Sequence, residues 1–147
     1  MTGQPQVRDA DDNPLWVFDY ASVEPVEAGG MTPSAVIDQP NEFSLRCTFT
    51  NEGLLGDGLE DEMGHITHYV QNLGTGDTFA LPGPDDFGWT GDTLVEETGP
   101  YTTGPVGGGA NLEVGTYLIT SVVTFDAPHD HVAGFNQTVV MVNPFVP

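Results

Sequence analysis

Apolar and polar residues alternate through most of this chain, the pattern a pleated strand makes when one face is buried and the other meets water. The cleanest case follows Pro40-Asn41, where Phe43, Leu45, Cys47 and Phe49 share one face and Ser44, Arg46, Thr48 and Thr50 share the other. Tyr117, Ile119, Val123 and Phe125 recur at the same period in a stretch dominated by β-branched and apolar residues. His65 to Leu73 reads as another strand, folded back by Gly74-Thr-Gly-Asp77 onto Thr78 to Leu81 as a hairpin. Thr93 to Thr98, Tyr101 to Thr103 and Phe135 to Val142 supply further strands, and Ser34 to Asp38 supplies a short edge segment. Residues 82–92 read as a loop. Leu15 to Val23 is apolar at both parities, with Trp16, Phe18 and Tyr20 on one face and Leu15, Val17, Ala21 and Val23 on the other. Leu54, Leu55, Leu59 and Met63 are spaced for one helical turn in the acidic loop 51–64, and nothing in the chain predicts a longer helix.

A chain of 147 residues is long enough for one core without a covalent staple. Residues 1–14 are polar, contain Asp9, Asp11, Asp12 and Asn13, and end at Pro14. They are expected to form a flexible acidic arm ahead of a single domain, 15–147.

The approach to the Tyr117 strand, Leu112-Glu-Val-Gly-Thr-Tyr117, resembles the tyrosine corner of immunoglobulin-like and fibronectin type III-like domains. The resemblance covers Ser34 to Asn143. It implies an all-β fold, a single antiparallel β-sandwich of seven to nine strands, with strand B at Phe43, C at His65, F at Tyr117 and G at Phe135. Sandwiches of this kind host binding, structural and catalytic roles alike, so the chemistry has to be read elsewhere.

Charge removes whole classes of partner. The chain has 22 acidic residues, no lysine, and arginine only at Arg8 and Arg46, for a net charge of −20. Nucleic acid and anionic membrane surfaces both require a basic footprint, so neither is expected as a partner. The acidity reads first as a solubilising coat, with salt adaptation and cation binding as rivals. Neither Asp9-Ala-Asp-Asp-Asn13 nor Asp57-Gly-Leu-Glu-Asp-Glu62 completes an EF-hand loop, and calcium is the weaker reading of these tracts.

The histidines fall in two pairs, His65-x-x-His68 and His129-Asp130-His131. In a sandwich of this topology the start of strand C and the end of strand F open at the same end. The two pairs, with Asp130, therefore form a candidate site for zinc, copper or nickel. His65 and His68, three apart on a strand, point to opposite faces, so at most one of them joins. No cofactor is the leading expectation. Cys47, the only cysteine, reads as a buried inert thiol. The N-terminal residues lack the pattern of a signal peptide, which leads to an expectation of a cytoplasmic protein or an assembly released outside the general secretory route. The chain carries no nucleophile elbow, no phosphate-binding glycine loop ending in lysine and no His-Glu-x-x-His, so a non-enzyme is expected.

Phe87, Trp89 and Tyr101 stand in or beside loops rich in Gly, Pro and Asp. They are either stacking platforms of a carbohydrate-binding module or plugs closing one end of the sandwich. The last two strands decide the functional expectation. Leu118 and Val122 lie opposite Tyr117, and Val140 and Val142 lie opposite Val139 and Met141, so both faces carry apolar residues. A sandwich buries one face only. The second face needs cover from Trp16, Phe18 and Tyr20 of the same chain or from another copy, because contiguous apolar surface marks an interface. The chain is therefore expected to be a structural or protein-interaction module whose partners are copies of itself or components of a larger assembly. The sequon Asn136-Gln-Thr138 falls on a central strand and reads as chance.

Overall fold

Alternation of this kind closes a core only when two sheets turn their apolar faces towards each other, and that is the observed architecture. The structure, a computed structural model, describes residues 6–8, 14–52, 63–89, 93–104, 112–126 and 133–144. Among these, the regular elements are all strands: β1 (Gln6–Arg8), β2 (Pro14–Glu27), β3 (Val36–Asp38), β4 (Phe43–Glu52), β5 (Met63–Asn72), β6 (Thr78–Ala80), β7 (Asp85–Gly88), β8 (Thr93–Tyr101), β9 (Gly115–Phe125) and β10 (Ala133–Asn143). One sheet has the order β1-β2-β4-β8. The other has the order β3-β10-β9-β5-β6, with β7 also pairing β5. All pairings are antiparallel except β3 with β10, which is parallel.

The all-β sandwich expected from the alternation is present. Three differences from the sequence reading have local causes. Residues 6–8, placed in the arm, form β1 against β2, with Gln6 opposite Val17. Asp85–Gly88 forms β7 on β5 where a loop was expected, so that Phe87 lies opposite Gly64. Thr93 to Tyr101 runs as one strand through Gly99-Pro100. β8 is the outer strand of its sheet, so a proline there forfeits no ladder bond on its free side. Of the helical turn expected from Leu54, Leu55, Leu59 and Met63, the three leucines lie outside the described residues and Met63 instead opens β5.

The core comes from both sheets. Phe18, Tyr20 and Val23 from β2 and Phe43, Leu45, Cys47 and Phe49 from β4 meet Ile66 and Val70 from β5, Tyr117, Ile119, Val123 and Phe125 from β9 and Val140 and Val142 from β10. At one end an aromatic cluster fills the gap between the sheets. Phe49 stacks on Phe87 at 5.3 Å, and Phe125 meets Phe18 edge-on at 5.4 Å. The sheets approach most closely where β10 crosses β2. A Cβ on Gly134 would stand 2.7 Å from Cε1 of Phe18, so only glycine fits there without displacing the ring. Beside it the Asn136 amide donates to the Tyr20 carbonyl at 2.8 Å, satisfying a backbone oxygen of β2 from the opposite sheet. Asn136 is buried by this role, which removes the sequon side chain from the surface.

The expected corner bond is present. The Tyr117 hydroxyl donates to the Glu113 carbonyl at 2.9 Å. It ties the segment before β9 to the strand and leaves the ring in the core.

Candidate interaction surface

A strand in a two-sheet core has one parity to bury, and the residues of the other parity form the outer face. In β9 the buried set is Tyr117, Ile119, Ser121, Val123 and Phe125, which leaves Leu118, Thr120 and Val122 outside and half-buried. In β10 the buried set is Gly134, Asn136, Val140 and Val142, which leaves Phe135, Gln137, Val139 and Met141 outside. Strand pairing then lays these residues out in rows. Val139 lies opposite Leu118 and Leu118 opposite Gln71, while Phe135 lies opposite Val122 and Val122 opposite Thr67. Between these two rows runs Gln137, Thr120 and Tyr69, in which the Gln137 amide donates to the Thr120 hydroxyl at 3.0 Å. Val36 of β3 extends the face beside Met141.

Val36, Met63, Tyr69, Val139 and Met141, all on this face, are 41–53% exposed. A shallow groove of about 410 Å³ crosses it, lined by Tyr69, Gln71, Thr78, Ala80, Leu118 and Thr120. Strands β5, β9 and β10 contain no Asp, Glu, Lys or Arg, in a chain that is 16% charged. Among the described residues, acidic side chains reach this face at its margins, at Asp38, Asp86 and Asp126. The outer face of the other sheet differs. There Arg46 lies between Glu24 and Glu97 in register, and Asp19 lies opposite Thr50. One outer face therefore carries charges in register, and the other has a centre of apolar and uncharged polar side chains.

This redraws the expected interface. Leu118 and Val122 do lie on the outer face. Val140 and Val142 do not: they are buried, because β10 has the opposite parity to the one assumed. Both parities of β10 are apolar, so alternation cannot choose between them. The choice is made by Gly134 against Phe18 and by Asn136 reaching Tyr20. Phe18 and Tyr20 are likewise core residues of the opposite sheet, so they cover the inner faces of β9 and β10 and not the outer ones. The side chain of Trp16 lies outside the described residues. Phe135, Val139, Met141, Tyr69, Met63 and Val36 were missed. The signal that finds them is the absence of charge along whole strands.

Of the metal candidates, His65 and His68 point to opposite faces, as their spacing requires. His65 sits at one margin of the outer face, where Nδ1 meets Asp86 Oδ1 and Nε2 meets Asp126 Oδ1, each at 2.7 Å. Carboxylates only accept, so both ring nitrogens must carry protons and the imidazole is held as a cation. Its pKa is accordingly raised, by Asp86 first and then by Asp126. The two carboxylates approach opposite sides of the ring and do not converge on one point. Among the described residues no three His, Cys, Asp or Glu side chains gather as a metal shell. His129, Asp130 and His131 lie outside the described residues.

His68 is buried on the inner face, with Nε2 at 2.8 Å from the Thr98 hydroxyl and its ring edge-on to Tyr101 at 5.9 Å. Thr98 gives its own proton to the Leu45 carbonyl, so Nε2–H donates to it and Nδ1 is the bare acceptor. Nδ1 is buried without a partner. Desolvation lowers the pKa of His68 to about 4, so the ring is neutral. Beside it in register, the Ser121 hydroxyl is hydrogen-bonded to the Tyr20 hydroxyl at 2.6 Å. Cys47 is buried and its thiol is pushed up to about 12, first by desolvation, which matches the inert thiol expected.

The sugar-stacking candidates are corrected. Phe87, Trp89 and Tyr101 are all buried, with Phe87 and Trp89 packed among Phe18, Phe49 and Phe125. Phe87 and Trp89 close one end of the sandwich, while Tyr101 packs on Phe43 and His68, and all three are buried away from any ligand.

No helix among the described residues is long and apolar enough to cross a membrane. No protein-family model matches the chain, and no curated protein matches it either.

Proposed function

We propose that this chain is a non-catalytic structural or protein-interaction module, a component of a homo-oligomer or larger protein assembly, that docks through the outer face of the β3-β10-β9-β5-β6 sheet. One observation carries the reading. In a chain of net charge −20, the three long strands at the centre of this face, β5, β9 and β10, hold no Asp, Glu, Lys or Arg, and five large apolar side chains on the face are 41–53% exposed. Interfaces differ from ordinary surface by charge depletion at their centre together with enrichment in aromatic residues and methionine, and this face has both features. The immunoglobulin-like resemblance belongs to the same reading. It is supported by the two-sheet sandwich and by the Tyr117 to Glu113 corner bond.

The experiment compares wild-type protein with Val139→Asp/Met141→Asp in an extract of cells that make it natively, fractionated by size. Both positions are exposed, so the doubly substituted chain should fold, with an unchanged circular dichroism spectrum. The wild-type chain should migrate in a particle heavier than its own mass and the variant as the free chain. Identical migration of both as free chains removes the docking role from this face.

A further inference from the structure

We infer that the outer face of the six-stranded sheet pairs with the same face of a second copy, making a closed, two-fold symmetric dimer in which the two sheets pack against each other. This rests on the proposed function and names its partner. The argument begins with charge. A basic partner would be met by carboxylates across the contact, and β5, β9 and β10, the strands at the centre of this face, offer none. Nucleic acid and anionic lipid find there only His65, whose charge is already taken up by Asp86 and Asp126. The complementary surface must itself have an uncharged, largely apolar centre, and among the described residues the surface with that character is this face on another molecule.

Electrostatics points the same way. Two copies at −20 repel through every acidic surface they own. The approach that keeps carboxylates furthest from the plane of contact is the one through β5, β9 and β10, with Asp38, Asp86 and Asp126 left at the rim. The size is adequate. Strands of 10 and 11 residues at about 3.3 Å per residue and about 4.8 Å between strands make a face about 35 Å long. Its extent is of the order of the ~800 Å² per partner that a stable dimer buries.

Shape and symmetry complete the case. The face is ribbed, with the rows Val139–Leu118 and Phe135–Val122 on either side of the row Gln137–Thr120–Tyr69 and a groove beside Tyr69 and Leu118. Ribbed sheet faces interdigitate when packed roughly aligned. An isologous contact uses the same patch on both copies and is then closed. Growth past two copies would need the outer face of the other sheet, which carries Asp19, Glu24, Arg46 and Glu97.

The test is analytical ultracentrifugation of the purified full-length chain across a wide concentration range, in about 0.05 M and about 1 M NaCl. The expected result is a mass that levels off at twice the 15.6 kDa chain, with a dissociation constant at least about tenfold lower at the higher salt as the rim repulsion is screened. Val139→Asp/Met141→Asp should be monomeric and folded. Val95→Asp, at an exposed position on the charged sheet, should dimerise like wild type. A wild-type chain that stays monomeric at the highest concentration and salt overturns the second copy. The extract experiment above then decides separately whether the face serves another protein. A dimer that survives Val139→Asp/Met141→Asp but not Val95→Asp overturns it too, by moving the contact to the other sheet. A mass that keeps rising with concentration overturns the closed symmetry.

Discussion

The Tyr117 hydroxyl ends in a single bond to a backbone carbonyl, so removing it tests one interaction while the ring keeps its packing. Tyr117→Phe should lower stability by about 1 kcal/mol, read from denaturant midpoints, and an unchanged midpoint would show that the corner bond contributes nothing. The two histidines of β5 make opposite contributions to the pH dependence. His68 is buried and neutral, with a pKa of about 4 against an ordinary value of 6.5. The unfolded chain therefore binds more protons between these values. The stability tied to His68 is complete above pH 6.5 and is lost as pH falls towards 4, by about 3 kcal/mol. His65 has a raised pKa, so the stability from its two carboxylates is complete below 6.5 and is lost as pH rises through the raised value. The stability difference between wild type and His68→Leu should thus move against wild type on acidification from pH 7 to pH 4, with the carboxylates common to both cancelling. A difference that is flat with pH would mean that the ring is hydrated in the fold. The residue spacing made the opposite faces of His65 and His68 legible. The partners Asp86 and Asp126 were not, since they are brought in by β7 and by the end of β9, which only the assembled sheet aligns.

At the scale of the strand, the sequence was readable wherever one parity is apolar and the other polar. β4 is such a strand, and its inward set, Phe43, Leu45, Cys47 and Phe49, is the set expected. β2 has apolar residues at both parities, which looked like two faces to cover. The register shift between Tyr20 and Ser22 supplies another explanation. The strand bulges at Ala21, so Phe18 and Tyr20 point inward before the bulge and Val23 after it, and one face takes residues of both parities. β10 was misassigned for a related reason: valines and a methionine occupy both parities, and what orients the strand is a glycine and an asparagine, neither of which scores as a core residue. This makes Gly134 a sharp test. Gly134→Ala places a methyl against the Phe18 ring at a distance no packed carbon tolerates, so β10 must lift away from β2. The expected loss is about 1–3 kcal/mol, the range for overpacking a rigid core, measured by thermal or denaturant unfolding. Val139→Ala, at an exposed position on the same strand, should cost far less in the isolated chain. Equal losses at the two positions would contradict the orientation of β10 on which the neutral outer face depends.

At the scale of the molecule, charge is segregated. The chain has 22 acidic and two basic residues, yet β5, β9 and β10 contain none of them. The mutual repulsion therefore acts across the other sheet, the margins and the connecting segments, and it opposes the folded state because folding brings those carboxylates together. Salt should relieve it. The screening length falls from about 10 Å at 0.1 M to about 3 Å at 1 M, below the spacing of most pairs of surface carboxylates. The expected effect is a melting temperature higher in 1 M than in 0.1 M salt by about 4–8 °C, the equivalent of about 2 kcal/mol for a domain of this size. Measuring a chain that cannot dimerise, Val139→Asp/Met141→Asp, separates this gain from any due to association. Screening does not distinguish one monovalent cation from another, so NaCl and KCl should act alike. If the acidic residues act through their summed field, calcium chloride at matched ionic strength should give no additional rise. A rise with millimolar calcium beyond that given by ionic strength would show that some of these carboxylates converge on a cation. The acidity would then be a binding device and not a coat.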